Sequence, residues 1–191
     1  MEEGQVAARR HRLSIHLDGA RIFNAVAASG VSAARYAAAA DTIQFCFSKG
    51  LGAPIGSILC GPADLIAEAR YLRKRLGGGM RQVGVIAAAA RIALRDRDRL
   101  AEDHKLARYL AERLADPAPH SVDLDQVETN MVQVDTGRLG PDFAKWNEAL
   151  RSEGIRLNPP IAGVLRLVTH RDVNRDDADR LVETLRAVSG R

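Results

Sequence analysis

The segment FSKGLGAPIG, from Phe47 to Gly56, connects two apolar runs that are typical of strands and overlaps the end of one and the start of the other. The first run, TIQFCF, begins at Thr42, and the second, PIGSILC, ends at Cys60. A lysine, Lys49, follows the first run almost at once. Because it is costly to remove an ammonium group from water, a lysine at the end of a buried strand indicates a function. The glycines after Lys49 allow the backbone to turn and a ligand to approach closely.

A second group of polar residues, HLDGAR, follows another predicted strand, LSIHL, which spans Leu13 to Leu17. In an open α/β sheet, ligands bind outside the carboxyl ends of the strands, so we expect Asp18, Arg21 and Lys49 to converge there. An amine can form a Schiff base with the aldehyde of pyridoxal 5′-phosphate, and a carboxylate can pair with its ring nitrogen. The residue types alone leave two alternatives open, a solvated loop lysine and an ordinary Asp-Gly turn.

Predicted helices and strands alternate along the chain, which favours an α/β fold. Apolar residues at helical spacing predict helices at 63–76, 80–94, 95–115, 141–154 and 174–189. The helix at 80–94 is almost entirely apolar, which predicts burial on several sides. Strands at 130–136 and 164–170 alternate with the last two helices, as in a small α/β domain. We therefore expect one domain at 1–115 and a second at 116–191, with the boundary near Asp116.

The composition is ordinary for a globular protein, with 46% hydrophobic residues and a net charge of +4 over 191 residues. A nucleic-acid-binding face would combine clustered basic residues with aromatic ones, but the arginines are scattered and aromatic residues make up 4%. The histidines and cysteines lack metal-ligand spacing. Cys46 and Cys60, each in an apolar run, are typical of buried thiols in a reducing cytoplasm. We expect a cytoplasmic protein without nucleic-acid, metal or membrane partners.

Four motifs carry a resemblance to a known family: HLDGARIFNA at 16–25, FCFSKGLGAPIGSILCG at 45–61, RKRLGGGMRQVGVIAAAARIAL at 73–94 and LRLVTHRDV at 165–173. In this order they resemble the low-specificity L-threonine aldolases of the aromatic amino acid β-eliminating lyase/threonine aldolase family. The members of that family are fold-type I enzymes that use pyridoxal 5′-phosphate. The resemblance implies the C-terminal part of that fold, with part of the large cofactor-binding domain and the small C-terminal α/β domain.

The resemblance also assigns roles to residues. It implies that Lys49 carries the Schiff base and that Asp18 pairs with the pyridine nitrogen, which makes these two residues catalytic. Arg21 and Arg166 would hold the substrate carboxylate, a task that suits the planar guanidinium. Arg81 would contact the phosphate or lie at a subunit interface, and His16 would neighbour the site. The cofactor-binding residues that the resemblance implies are Asp18, Arg21, Ser48, Lys49 and Arg81.

The implied reaction is the cleavage of L-threonine, L-allo-threonine and related β-hydroxy-α-amino acids to glycine and an aldehyde, as in threonine catabolism and glycine biosynthesis. Members of the family are usually homotetramers. Against the family pattern, this chain begins in the middle of the large domain, so we expect an N-terminal truncation that leaves strands and helices without neighbours. Two alternatives follow, a non-catalytic fragment of such an enzyme and a β-eliminating lyase on the same scaffold.

Overall fold

The computed structural model describes residues 2–139 and 143–189. The α-helices, in chain order, are α1 Glu2–Arg10, α2 Ile22–Ser29, α3 Ala33–Ala37, α4 Ala63–Arg75, α5 Gly84–Arg95, α6 Leu100–Ala115, α7 Thr136–Leu139, α8 Phe143–Ser152 and α9 Arg175–Ser189. The strands are β1 His16–Asp18, β2 Thr42–Cys46, β3 Ser57–Cys60, β4 Met131–Asp135 and β5 Val164–Val168, and short 3-10 helices span Asp96–Arg99 and Leu124–Gln126. The chain divides into two compact units, Met1–Arg99 and Leu100–Arg191.

The first unit is built around a three-stranded sheet in the order β1-β2-β3. Strand β1 runs parallel to β2, with His16 opposite Thr42 and Asp18 opposite Gln44. Strand β3 runs antiparallel to β2. Because β1 and β2 are parallel, their carboxyl ends lie at the same edge of the sheet. Asp18 and the segment that contains Lys49 therefore lie at one edge.

The strand predicted from Leu13 is shorter than expected, because β1 begins only at His16. The backbone of Ile15 makes its hydrogen bonds outside the regular pairing of the strands. Its N–H donates to the carboxylate of Asp41 at 2.7 Å, and the Asp41 N–H donates to the Ile15 carbonyl at 2.9 Å. Leu13 is 63% exposed, so the beginning of the predicted strand has no apolar surface to cover it.

The predicted burial of the helix at 80–94 is wrong. Helix α5 begins at Gly84, and along this fully described helix the buried residues are Ala90 and Ala93, whereas Val85 is 79% exposed. Strand β3 is similar, since Ile58 and Leu59 are both exposed. Adjacent residues of a strand point to opposite faces of the sheet, so β3 exposes apolar side chains on both faces. The first unit thus buries little of its apolar surface.

The second unit contains the larger apolar core. Strands β4 and β5 form an antiparallel pair in which Val132 lies opposite Leu167 and Val134 opposite Leu165, and all four side chains are buried. Helices α6, α8 and α9 supply most of the rest of this core, and Ala118 and Val122 of the segment after α6 complete it. The helix residues in this core are Ala107, Leu110, Ala111, Leu114, Trp146, Leu150, Ala178, Leu181, Val182 and Leu185.

The division between the units precedes the boundary expected near Asp116. Helix α6 belongs to the second unit, because Leu110 and Leu114 on its apolar face pack into the second core. The predicted helix at 95–115 is also divided, since a 3-10 turn at Asp96–Arg99 precedes α6. The predicted start of the helix at 141 lies outside the described residues, and α8 is described from Phe143.

A polar network joins helices α6 and α9. The hydroxyl of Tyr109 donates to the two carboxylate oxygens of Asp179 at 2.8 and 2.9 Å, and Arg113 donates to the same carboxylate at 2.9 Å. The guanidinium of Arg175 lies 4.6 Å from the centre of the Tyr109 ring, within cation–π distance. The hydrogen bonds from Tyr109 and Arg113 hold the pKa of Asp179 below its ordinary value of 3.8.

We predict that this network makes stability depend on pH in the acid range. Because the pKa of Asp179 is depressed in the folded state, its contribution is present above the ordinary carboxyl pKa and is lost as pH falls through the folded pKa. Asp179→Asn should therefore lower the urea midpoint at about pH 6, and the difference from the wild type should shrink towards about pH 3. Asp176→Asn, on the exposed side of the same helix turn, is the control. A difference that stays constant with pH would contradict the assignment.

We also predict that the second core dominates stability. Leu150 is completely buried, so Leu150→Ala should lower the free energy of unfolding by about 2–5 kcal/mol through lost contacts and an internal cavity. Leu76, which is 83% exposed, is the matched control, and Leu76→Ala should change the free energy of unfolding by less than about 0.5 kcal/mol. Urea denaturation followed by circular dichroism measures both. Equal effects of the two substitutions would show that the side chain of Leu150 is not packed in an apolar core.

Candidate active site

Asp18 lies at the carboxyl end of β1, and two donors hold its carboxylate. The backbone N–H of Ala20 donates to Oδ1 at 3.0 Å, and the side-chain amide of Gln44 donates to the same oxygen. Among the described residues, no donor reaches Oδ2. Asp18 is exposed, so this second oxygen can accept a hydrogen bond from a ligand.

The backbones of β1 and β2 approach closely beside Asp18. The N–H of Gly19 donates to the carbonyl oxygen of Gln44 at 2.8 Å. A Cβ atom at position 19 would lie only 2.9 Å from that same oxygen, so a glycine is required here. The end of β1 is thereby fixed against β2 at the position where Asp18 projects.

Lys49 lies on a loop that is held by backbone hydrogen bonds. The N–H groups of Phe47 and Ser48 donate to the Gly56 carbonyl at 2.9 and 3.3 Å, and the Ala53 N–H donates to the Phe47 carbonyl at 2.9 Å. The side chain of Lys49 itself is exposed and forms no hydrogen bond or ion pair within the described part of the chain. Its amine is therefore presented to solvent from an ordered backbone.

Gly50 anchors this loop to the rest of the first unit. It is buried, and its carbonyl accepts a hydrogen bond from Arg99 at 3.0 Å. A Cβ atom at position 50 would overlap the side-chain amide oxygen of Asn24, which is 2% exposed and has little room to move. Because Gly50 has no side chain, the loop can pack closely against Asn24. This packing fixes the position of the neighbouring Lys49.

The structure brings Arg21 close to this loop. Arg21 immediately precedes helix α2 and is half-buried. It borders, together with Cys46 and Gly50, a packing gap that is too small to hold a water molecule. The three predicted residues Asp18, Arg21 and Lys49 therefore lie on adjoining segments at the same edge of the sheet, and their convergence on one ligand stays a prediction.

The other predicted site residues lie in different surroundings. The Ser48 hydroxyl donates within its own loop, to the Gly56 carbonyl at 3.4 Å, and His16 pairs with the hydroxyl of Thr42 at 2.8 Å. Arg81 is exposed in the turn before α5, and within the described residues no hydrogen bond or ion pair joins it to Asp18 or Lys49. These observations leave the predicted cofactor contacts of Ser48 and Arg81 untested.

Arg166 belongs to the second unit. It lies on β5, opposite Gln133 of β4, and its side chain is exposed. With His170 and Arg180 it lines a cleft of about 470 Å³ within that unit. The predicted binding of a substrate carboxylate by Arg166 stays a prediction.

Sequence reasoning missed three residues that hold the site in place: Gln44, Asn24 and Arg99. Gln44 had a detectable signal, as a polar residue within the apolar run of β2. Asn24 and Arg99 had none, because their contacts with Gly50 depend on the fold and not on their neighbours in sequence.

The chemistry available at this edge is that of a free amine, a carboxylate and a guanidinium. The described residues contain no group of three histidine, cysteine or acidic side chains that could hold a metal ion. Nor is any helix among them both long and apolar enough to pass through a bilayer. The amine can bond to a carbonyl carbon, and the carboxylate can accept a proton or an N–H hydrogen bond.

We predict that Gly50→Ala destabilises the first unit. The added methyl group would overlap the buried Asn24 amide, and such overpacking costs about 1–3 kcal/mol. Gly84→Ala, at the start of α5 in open space, is the control and should be neutral or slightly stabilising. Thermal unfolding measured on both variants checks the prediction. A Gly50→Ala protein as stable as Gly84→Ala would mean that the loop is not tightly packed against Asn24.

Residues 1–137 match the Beta-eliminating lyase family. The chain is 42% identical over 174 residues to the low-specificity L-threonine aldolase 1 of Arabidopsis thaliana, covering 89% of this chain and 48% of that protein. It is 38% identical over 192 residues to the low specificity L-threonine aldolase of Escherichia coli K12, covering 100% and 56%. The chain thus spans about half the length of these relatives.

A solved structure from Exiguobacterium sp. 255-15, described as an aromatic amino acid β-eliminating lyase/threonine aldolase, is similar to this chain. The TM-score is 0.77 at 25% sequence identity, and the similarity covers 98% of this chain and 56% of that one. A structure of Leishmania major threonine aldolase has a TM-score of 0.73 at 20% identity, covering 97% of this chain and 54% of that one. The second comparison concerns the fold alone.

Proposed function

Because the chain belongs to the β-eliminating lyase family, we propose that it acts in the pyridoxal 5′-phosphate-dependent cleavage of β-hydroxy-α-amino acids to glycine and an aldehyde. L-threonine and L-allo-threonine are the proposed substrates. The observation that carries the proposal is the shared sheet edge of Asp18 and Lys49, which follows from the parallel pairing of β1 with β2. The names of the relatives from Arabidopsis thaliana and Escherichia coli support L-threonine as a substrate.

The predicted fold class is confirmed. The chain has an α/β fold with a mixed sheet, and its fold is similar to that of the Exiguobacterium structure, a fold-type I architecture. The similarity covers about half of that structure, so it concerns one part of the complete fold.

The residues at this edge of the sheet fit pyridoxal 5′-phosphate. The cofactor presents an aldehyde, a protonated ring nitrogen and a phosphate group. The exposed amine of Lys49 suits the aldehyde, and Oδ2 of Asp18 is open to the ring N–H. Arg21, Ser48 and Arg81 are the further cofactor contacts that we propose. When bound, the cofactor supplies an electron sink for the bond that breaks at the substrate α-carbon.

Four residues of the chain would have distinct roles in binding the cofactor and the substrate. Lys49 would hold the cofactor through Nζ and give up this bond to the substrate amine. Asp18, as a carboxylate, would keep the proton on the ring nitrogen, because an ionised acceptor strengthens the hydrogen bond. Arg21 and Arg166 would bind the substrate carboxylate, for which a guanidinium offers two parallel N–H donors.

A second candidate function is β-elimination, with ammonia and a keto acid as products. The description of the matching family favours it, since β-eliminating lyases use the same cofactor chemistry. A third candidate is a chain that binds the cofactor without turnover. The products formed from β-hydroxy-α-amino acids distinguish these candidates.

We further propose a homotetramer in the cytoplasm. Exposed apolar residues around Arg81 support an interface there, since Leu76 is 83% exposed, Met80 56% and Val83 50%. Cys46 and Cys60 are both free thiols, which supports a reducing compartment. Their predicted burial is wrong, since Cys46 is half-buried and Cys60 is exposed.

We predict that Lys49 is the lysine that pyridoxal 5′-phosphate modifies. The full chain is mixed with the cofactor, its visible absorbance is recorded, and the lysine–cofactor bond is reduced with borohydride and mapped by mass spectrometry. The label should lie on Lys49, and Lys49→Ala should abolish the absorbance band. Lys105→Ala, which removes an exposed amine paired with Glu102 in the second unit, is the control and should retain it.

Products are then measured with L-threonine. Glycine and acetaldehyde support the aldolase, ammonia and a keto acid support the β-eliminating lyase, and labelling of Lys49 without products supports the non-catalytic chain. No absorbance band, or a label spread over several lysines, would overturn the proposed function.

A further inference from the structure

Gln44 is the one side chain, within the described residues, that donates a hydrogen bond to Asp18. The two residues are direct neighbours across the parallel pair of β1 and β2. Gln44 is half-buried, whereas Asp18 is exposed. A side chain on the central strand of the sheet thus holds the carboxylate at the end of the neighbouring strand.

The chemistry of the two groups determines how they pair. A carboxylate can only accept, so the amide nitrogen of Gln44 must face Asp18. The amide oxygen then faces the other way, where the thiol of Cys46 lies 3.9 Å away. The backbone contributes a further link, because the Gly19 N–H donates to the Gln44 carbonyl at 2.8 Å. The orientation of the Gln44 amide is therefore supported on both of its ends.

Both donors to the carboxylate use the same oxygen. The Gln44 amide and the Ala20 N–H, the latter at 3.0 Å, both reach Oδ1 of Asp18. Two donors that converge on Oδ1 from a neighbouring strand and from the following turn restrict rotation of the carboxylate. Since hydrogen bonds weaken steeply away from linear geometry, a carboxylate that is fixed in this way offers Oδ2 in one direction.

We propose that Gln44 is a positioning residue that fixes the Asp18 carboxylate so that Oδ2 receives the N–H of a protonated pyridine ring. The inference rests on the proposed function, because that ring belongs to pyridoxal 5′-phosphate. It adds to that function the residue that determines which carboxylate oxygen binds the ring. Gln44 touches neither the cofactor nor the substrate in this role and acts through Asp18.

The test compares two ligands that differ at one ring atom. One is pyridoxal 5′-phosphate, and the other is its analogue with a C–H group in place of the ring nitrogen. The affinity of the full chain for each is measured by absorbance titration, and the ratio of the two affinities reports the Asp18 pairing alone. A general loss of folding weakens the binding of both ligands equally and leaves the affinity ratio unchanged. A merely structural role for Gln44 would therefore not change the ratio.

In Gln44→Leu the amide donor is lost at similar side-chain size, and we expect the affinity ratio to fall about tenfold, as for one hydrogen bond to a charged group. Gln44→Glu is a second variant of nearly the same shape, in which an acceptor faces Asp18, and the ratio should fall at least as far. Asp18→Ala should reduce the ratio to about one, since no carboxylate remains to discriminate the ring atom. Gln133→Leu, on an exposed position of β4, is the matched control and should leave the ratio unchanged.

A ratio that is the same in the wild type, Gln44→Leu and Gln44→Glu would overturn the inference, as would an equal loss of affinity for both ligands. These results are distinct from failure of the proposed function. If the wild-type chain does not bind pyridoxal 5′-phosphate at all, the proposed function is overturned and the inference falls with it. If the wild-type chain binds pyridoxal 5′-phosphate more tightly than the analogue, the affinity ratios of the Gln44 variants alone decide whether the inference holds.

Discussion

The parallel pairing of β1 with β2 is the constraint on which the rest of the first unit depends. A parallel pair brings two carboxyl ends to one edge of the sheet, whereas an antiparallel pair would place Asp18 and Lys49 at opposite edges. The register then sets Asp18 opposite Gln44, and a shift by one residue would turn Gln44 to the other face of the sheet. Chemistry that requires an amine and a carboxylate together thus follows from how two short strands are aligned.

The supports of the two candidate catalytic groups differ in kind. Asp18 is held through its side chain, by donors that converge on one carboxylate oxygen. Lys49 is held through its backbone, while its amine stays exposed. This difference suits the proposed roles, since a hydrogen-bonding partner for the cofactor must stay in place, whereas an amine that forms and gives up a covalent bond must move.

Sequence reasoning found the residues at the strand ends, because a charged residue after an apolar run is visible without knowledge of the fold. It could not find Gln44 as a partner of Asp18, since two helices separate β1 from β2 and the sequence of either strand alone does not determine their register. It was wrong about the burial of helix α5, because apolar composition does not show which neighbours a helix has. The expected division near Asp116 followed a loop in the sequence, whereas the packing of Leu110 and Leu114 assigns helix α6 to the second unit.

The uneven distribution of buried apolar side chains has a consequence for local unfolding. Amide hydrogens of β4 and β5 lie beside buried residues, so their exchange with solvent requires the opening of a large core. Those of β3 border side chains that are already exposed, and little packing resists their opening. The segments that carry Asp18 and Lys49 thus belong to the unit with the lower free energy of transient opening. A bound ligand that bridged these segments would slow the exchange of their amide hydrogens more than the exchange of those in the second unit.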